Sequence, residues 1–336
     1  MQSYNVSVPV QVAQAPGGRA SIAATVHAPD ELPARPIVVF ALPGGGYGRG
    51  YFDLRFAGRS GYSQAEHHTA HGIVVVAMDH LGVGDSSTEA NDVIVIEDIA
   101  AANDVAVREI LRRLRSGTLD ASLPACEPGF VVGTGQSMGG GVTIIMQGRH
   151  RTYQAISPLG YSAFQAVLPL RAPEARQGIK AMFSHFRRST PPAQLSVPQT
   201  SAEIKDFLYP FHMEDVPQDI VAADLAGGYP LRQDPPPWGS RTVPRCVVGM
   251  MARDYVIEEA AAIDVPVFFG EGERDVSEDP WAESSRFPRV RDFTLFVCPQ
   301  MAHMHNFATT RRELWDRSVD WMDSQRRAAA RTGQSA

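Results

Sequence analysis

The chain has 336 residues, 44% of them hydrophobic and 20% charged, an ordinary balance for a globular protein with a sizeable core. A formal net charge of −6 removes the electrostatic basis for binding nucleic acid or an anionic membrane surface. Three cysteines, Cys126, Cys246 and Cys298, are too few and too unpatterned for a disulfide framework or a zinc site.

The first residues carry neither a basic stretch nor an apolar one, so no signal peptide is visible, and no apolar run approaches the roughly 20 residues of a membrane span. A cytoplasmic protein is expected. Residues 4–13 alternate apolar and polar, Pro16-Gly17-Gly18 turns the chain, and 20–28 runs back, which predicts a β-hairpin. Residues 37–42 are a continuous apolar strand of the buried parallel type, ending in Pro43-Gly44-Gly45-Gly46-Tyr47-Gly48. A helix is predicted over 60–71, a strand over 73–78, and a long helix over 92–115 with Ile99, Ala102, Ala106, Ile110 and Leu114 on one face. A strand at 130–133 enters Thr134-Gly135-Gln136-Ser137-Met138-Gly139-Gly140-Gly141, followed by a helix to about 149 and a strand at 154–157.

This alternation predicts an α/β fold, a doubly wound, mostly parallel sheet with helices on both faces. From 161 to 262 prolines are frequent and the alternation stops, with helix-like pieces at 174–187, 201–208 and 244–262; an inserted cap is expected there. It divides a core whose first part is 1–160 and whose last part is 263–336. Strands resume at 265–270 and 293–297, and a last helix starts near Thr310 with a Thr310-x-x-Glu313 capping box. Leu314, Trp315, Ser318, Val319 and Met322 form its inner face, and the tail beyond about 326 is expected to fray.

Gly135-x-Ser137-x-Gly139 has the spacing of a nucleophile elbow. A strand that passes into a helix within one tight turn strains the serine backbone, requires small neighbours two residues away, and exposes the hydroxyl above the helix N-terminus. The phosphate loop of short-chain dehydrogenases is a rival reading of these glycines. It belongs after the first strand and needs a Tyr-x-x-x-Lys pair; Lys180 and Lys205, the only lysines, have Arg176 and Ser201 four residues earlier. A serine hydroxyl needs a base, and the base an orienting acid, in the chain order Ser, acid, His. Asp275 and His303 each follow one of the last two strands. Asp275 is favoured over Glu271, Glu273, Glu278 and Asp279, and His303 over His305 as base, the other histidine serving the pocket or its surroundings. Oxyanion donors are expected from the backbone of Met138 and of Gly45 or Gly46.

These phrases, with Asp79-His80-Leu81-Gly82-Val83-Gly84-Asp85-Ser86, Gly272-Glu273-Arg274-Asp275 and Met301-Ala302-His303, resemble the α/β-hydrolase superfamily over all but the expected cap. Pro43 departs from it: lipases and esterases of the superfamily usually carry histidine before the glycine run. The resemblance implies two-step acyl transfer from a carboxylic ester to water, or acyl transfer, thioester or lactone cleavage by the same residues, or a non-catalytic ligand-binding member. A small-molecule ester partner and no cofactor or metal are expected, and the reading admits a homodimer. Tyr47, Gln136, His212 and His305 are the expected substrate contacts, and the aromatic and methionine residues of 161–262 either line a pocket or pack on one another. Glu66-His67-His68-x-x-His71 lacks a third metal ligand in the sequence and reads as a solvated helix end.

Overall fold

The computed structural model describes residues 1–197, 206 and 208–332. Strands β1 (Gln2–Gln11) and β2 (Arg19–Ala28) form the antiparallel hairpin, paired from Gln2↔Ala28 to Gln11↔Arg19. Then come β3 (Ile37–Leu42), α1 (Gln64–Ala70), β4 (Val74–Met78), α2 (Ile96–Ser116), β5 (Phe130–Gln136), α3 (Met138–His150) and β6 (Ala155–Leu159). Among the described residues, the stretch between β6 and β7 adds no strand to the sheet. It holds α4 (Pro173–Ser184), α5 (Leu208–Phe211), α6 (Gln218–Asp224), α7 (Ile257–Ala262) and two 3₁₀ segments, Pro192–Gln194 and Arg245–Met251. Strands β7 (Val267–Arg274) and β8 (Phe293–Ala302) and helix α8 (Arg311–Thr332) complete the chain.

The eight strands lie in the order β1-β2-β4-β3-β5-β6-β7-β8. β1–β2 and β2–β4 are antiparallel, and every other pair is parallel. Because period-two side chains alternate between faces, Val38, Phe40 and Leu42 join one core while Ile37, Val39 and Ala41 join the other. The predicted stripe of α2 is buried in the first of these, and Leu314, Val319 and Met322 of α8 in the second. The strand order reverses at β3, so the loops after β3 and β5 leave adjacent strand ends, the place where doubly wound sheets build sites.

Several boundaries differ from expectation. β5, β7 and β8 run on through polar residues, because Thr134–Gln136 pair with β6 and Glu271–Arg274 pair with β8, so ladder partners rather than hydrophobicity hold them extended. The expected helix over 244–262 is broken in two, and the 201–208 piece lies mostly outside the described residues. α8 continues past 326 to Thr332, where Arg326 and Arg327 pair with Asp323 and three alanines favour helix. The Thr310 hydroxyl donates to the Gln300 carbonyl (3.3 Å) instead of capping α8. His67 and His68 are buried, so α1 does not end as a solvated histidine cluster. Among the described residues no helix is long and apolar enough to cross a membrane, and the three cysteines are buried and free.

Candidate active site

Ser137 caps α3 with φ 55° and ψ −118°, a strained backbone for a residue with a side chain. The flanking glycines make that turn possible. A Cβ on Gly135 would lie 2.2 Å from the Gly139 carbonyl carbon, and one on Gly139 would lie 2.0 Å from the Leu42 carbonyl oxygen. The elbow therefore rests against the end of β3.

His303 Nε2 lies 2.9 Å from the Ser137 hydroxyl, and His303 Nδ1 lies 2.6 Å from Asp275 Oδ1. With Nδ1–H donating to the carboxylate, the Nε2 lone pair faces the serine. Asp275 accepts four hydrogen bonds. Val276 N–H (2.8 Å) also donates to Oδ1, while Gly272 N–H (2.9 Å) and His305 Nε2 (2.6 Å) share Oδ2. Burial by itself would raise the Asp275 pKa; the charges and hydrogen bonds of His303 and His305 outweigh it and hold the carboxyl well below its ordinary range. The other acids of this loop have separate partners. Glu273 accepts from Gln300 N–H, Glu278 pairs with Lys180 and Arg176, and Asp279 caps Trp281 and Ala282. Glu271 is fully buried, and burial with the nearby charges of Asp275 and Glu283 pushes its pKa well above the ordinary glutamate value.

Three backbone contacts hold His303. Gln136 Nε2 donates to its carbonyl (2.7 Å), its own N–H donates to the Pro210 carbonyl (3.1 Å), and Met304 N–H donates to the Phe211 carbonyl (3.0 Å). Ser137, Met138, Gly45 and His303 border a cavity of about 480 Å³. Its remaining lining comes largely from the 161–262 stretch, including Leu168, Ile179, Phe183, Val243, Val247 and Met250, and among the described residues it carries no acidic, lysine or arginine side chain.

The expected substrate contacts lie behind this cavity rather than on it. Tyr47 is fully buried and donates to the Asp224 carboxylate at 2.8 and 2.9 Å. His212 Nε2 lies 2.9 Å from the same carboxylate, Gln136 is turned to the His303 carbonyl, and His305 to Asp275. Each is a polar side chain whose partner lies far away in sequence, so adjacency to a motif indicated proximity but not direction. Gly46 also stands off the cavity. Its carbonyl accepts from Ser240 N–H (3.0 Å) and from the buried guanidinium of Arg232. Arg232 sits 4.9 Å from the Tyr47 ring centre and 5.1 Å from that of Tyr229, and donates to the Asp224 carbonyl at 2.8 Å. The Tyr229 hydroxyl donates to the Gly45 carbonyl (3.2 Å). Arg232, Asp224 and Tyr229 carried no sequence signal, and neither did Leu168, Ile179 and Val243, which lie in a proline-broken stretch without periodicity. The aromatic and methionine residues of 161–262 that border the cavity include Phe183, Phe211, Met250 and Met251, and Phe207 lies outside the described residues.

The described residues gather three metal-ligating side chains at one place, His67, His71 and Asp316, and none of these borders the cavity.

A model of the alpha/beta hydrolase family matches residues 38–317 of the chain. No curated protein matches the sequence. Among solved structures, a thermophilic esterase from Thermogutta terrifontis is similar at 16% identity and a TM-score of 0.61, over 95% of this chain and 98% of that one. A proline iminopeptidase from Mycobacterium smegmatis is similar at 16% identity and a TM-score of 0.61, over 96% and 100%. A monoglyceride lipase from Saccharomyces cerevisiae is similar at 15% identity and a TM-score of 0.59, over 91% and 92%.

Proposed function

The chain belongs to the alpha/beta hydrolase family, and from that premise we propose that it is a serine hydrolase cleaving a carboxylic ester of a largely apolar substrate. The observation that carries this is the unbroken hydrogen-bonded series Asp275–His303–Ser137 at an apolar cavity. In this reading His303 takes the Ser137 proton as the hydroxyl oxygen attacks the ester carbonyl. Asp275 holds the ring orientation and stabilises the imidazolium. The backbone N–H groups of Met138 and Gly45 stabilise the developing oxyanion, each worth about 3 kcal/mol. His303 returns the proton to the departing alcohol and then activates the water that releases the acyl group.

The 161–262 stretch acts as a cap that supplies the apolar wall. Among the described residues no acidic, lysine or arginine side chain lines the cavity to meet a free amine, carboxylate or phosphate, which favours neutral esters over peptides with a free amino terminus and over phosphorylated thioesters. The three free cysteines accord with a cytoplasmic setting.

Intact mass after treatment with a fluorophosphonate tests the nucleophile without assuming a substrate. One adduct on the wild type and none on Ser137→Ala is the expected result. An unlabelled wild type, alongside a control hydrolase that labels, overturns the reading and leaves a ligand-binding member of the family.

A further inference from the structure

His67 in α1 and His71, the residue that ends that helix, stand four positions apart, and α8 lays Asp316 beside them; one ligand atom from each side chain lies within 4.8 Å of the other two. We propose that these residues form a binding site for a divalent transition cation of the zinc class, which staples α1 to α8. The site is independent of any role for Ser137.

The donor set is the first support. Two imidazoles and one carboxylate match the ligands that zinc takes, with a position left for water. The sequence offered only the two histidines; the third ligand arrives from a helix about 250 positions further on. Ligand orientation is the second. His71 Nδ1 lies 2.8 Å from the His67 carbonyl oxygen, so its N–H donates there and Nε2 keeps its lone pair for a cation. That is the outer hydrogen bond by which ligating histidines are fixed. His67 Nε2 already faces Asp316 Oδ1 at 2.7 Å.

Metal–ligand bonds of about 2.0–2.1 Å separate tetrahedral ligand atoms by roughly 3.3 Å. The site therefore needs only a slight opening of the His67–Asp316 pair and an approach by His71. Asp316 is exposed and able to make that adjustment.

Proton bookkeeping identifies the cost. As the side chains stand, the Trp315 indole N–H donates to Asn306 Oδ1 (2.9 Å), and Asn306 Nδ2 donates to Gln64 Oε1 (3.1 Å). Gln64 Nε2 is then left to donate to His68 Nε2, a long contact of 3.4 Å. His68 Nδ1–H in turn donates to His67 Nδ1 (3.2 Å), and His67 Nε2–H to Asp316. A cation on His67 Nε2 reverses both imidazole tautomers: Nδ1–H of His67 now donates to His68, and His68 carries its proton on Nε2. The two imidazoles exchange tautomers without gaining or losing a proton; the long Gln64 contact is surrendered, and the His67–Asp316 hydrogen bond is exchanged for bonds from both side chains to the cation.

Solvent reaches the site. His71 also borders an open groove of about 430 Å³ lined by Asp320 and Asp323 and by Arg35 and Arg326, so the charges there largely offset one another. Arg312, one turn before Asp316, opposes a cation.

Equilibrium dialysis of the untagged full-length protein against zinc(II), with bound metal counted by atomic emission, tests the site. One zinc per chain is expected for the wild type. Asp316→Asn and His71→Gln should each weaken binding at least tenfold, and His150→Gln should leave it unchanged. Both site variants alter exposed side chains, and equal melting temperatures in EDTA verify their folding. A visible absorption band on cobalt(II) substitution, lost in Asp316→Asn, reports the same ligands. A wild type that takes up no zinc, or variants that hold it as tightly as the wild type, overturns the proposal.

Discussion

At the scale of single residues, Asp275 is the centre of charge. It answers to two histidines, of which only His303 reaches Ser137. Replacing His303 by Gln removes the proposed base, and hydrolysis of a model ester should fall below detection. His305→Gln removes one charge-assisted hydrogen bond to Asp275, so kcat should fall roughly 10- to 100-fold with KM unchanged, as steady-state kinetics would show. Glu271 supplies a pH test. Its folded pKa is raised by burial and by Asp275 and Glu283, so its contribution is fully present below the ordinary glutamate value and declines as pH rises toward the folded one. Glu271→Gln should therefore melt higher than the wild type at pH 8, with the gap closing toward pH 4. Asp275 has the opposite sign: its folded pKa is depressed, so its contribution holds above the ordinary aspartate value and is lost as pH falls through the folded one.

At the scale of elements, the loop after β3 is held from outside. Pro43 stands where relatives of the superfamily usually carry histidine, and here Arg232 and Tyr229 grip the carbonyls of Gly46 and Gly45. Arg232 has no solvent to fall back on, and its removal leaves the Asp224 carboxylate buried without its cation. Arg232→Met should cost about 3–5 kcal/mol in urea denaturation, and adding Asp224→Asn should recover most of the loss. Labelling of Ser137 by a fluorophosphonate should slow in Arg232→Met, because the Gly46 carbonyl loses its anchor.

At the scale of the whole molecule, the sheet brings Ser137, Asp275 and His303 to one edge, and the 161–262 stretch supplies most of the cavity lining beside them. A cavity of about 480 Å³ with an apolar lining rewards chain length. kcat/KM for a series of esters should rise about fourfold per added methylene until the cavity is filled. Val243→Trp fills part of that space; long-chain esters should lose activity while acetate esters keep theirs, measured across the same series.

Sequence alone determined the alternating strands and helices, the elbow at Ser137 and the glycine loop after β3, because each rests on local rules: side-chain period, buried apolar runs, and turns that admit only small residues. It also narrowed the acid and the base to a few neighbours. Only the tertiary structure brings one set of them together: His303 meets Asp275 across 28 positions and Ser137 across 166, and no local pattern encodes such a contact. The same holds for the buried partners of Tyr47, Gln136 and His212, for the grip of Arg232 on Gly46, and for the arrival of Asp316 beside His67. These depend on which way a side chain points once distant elements pack, which period and propensity leave undetermined.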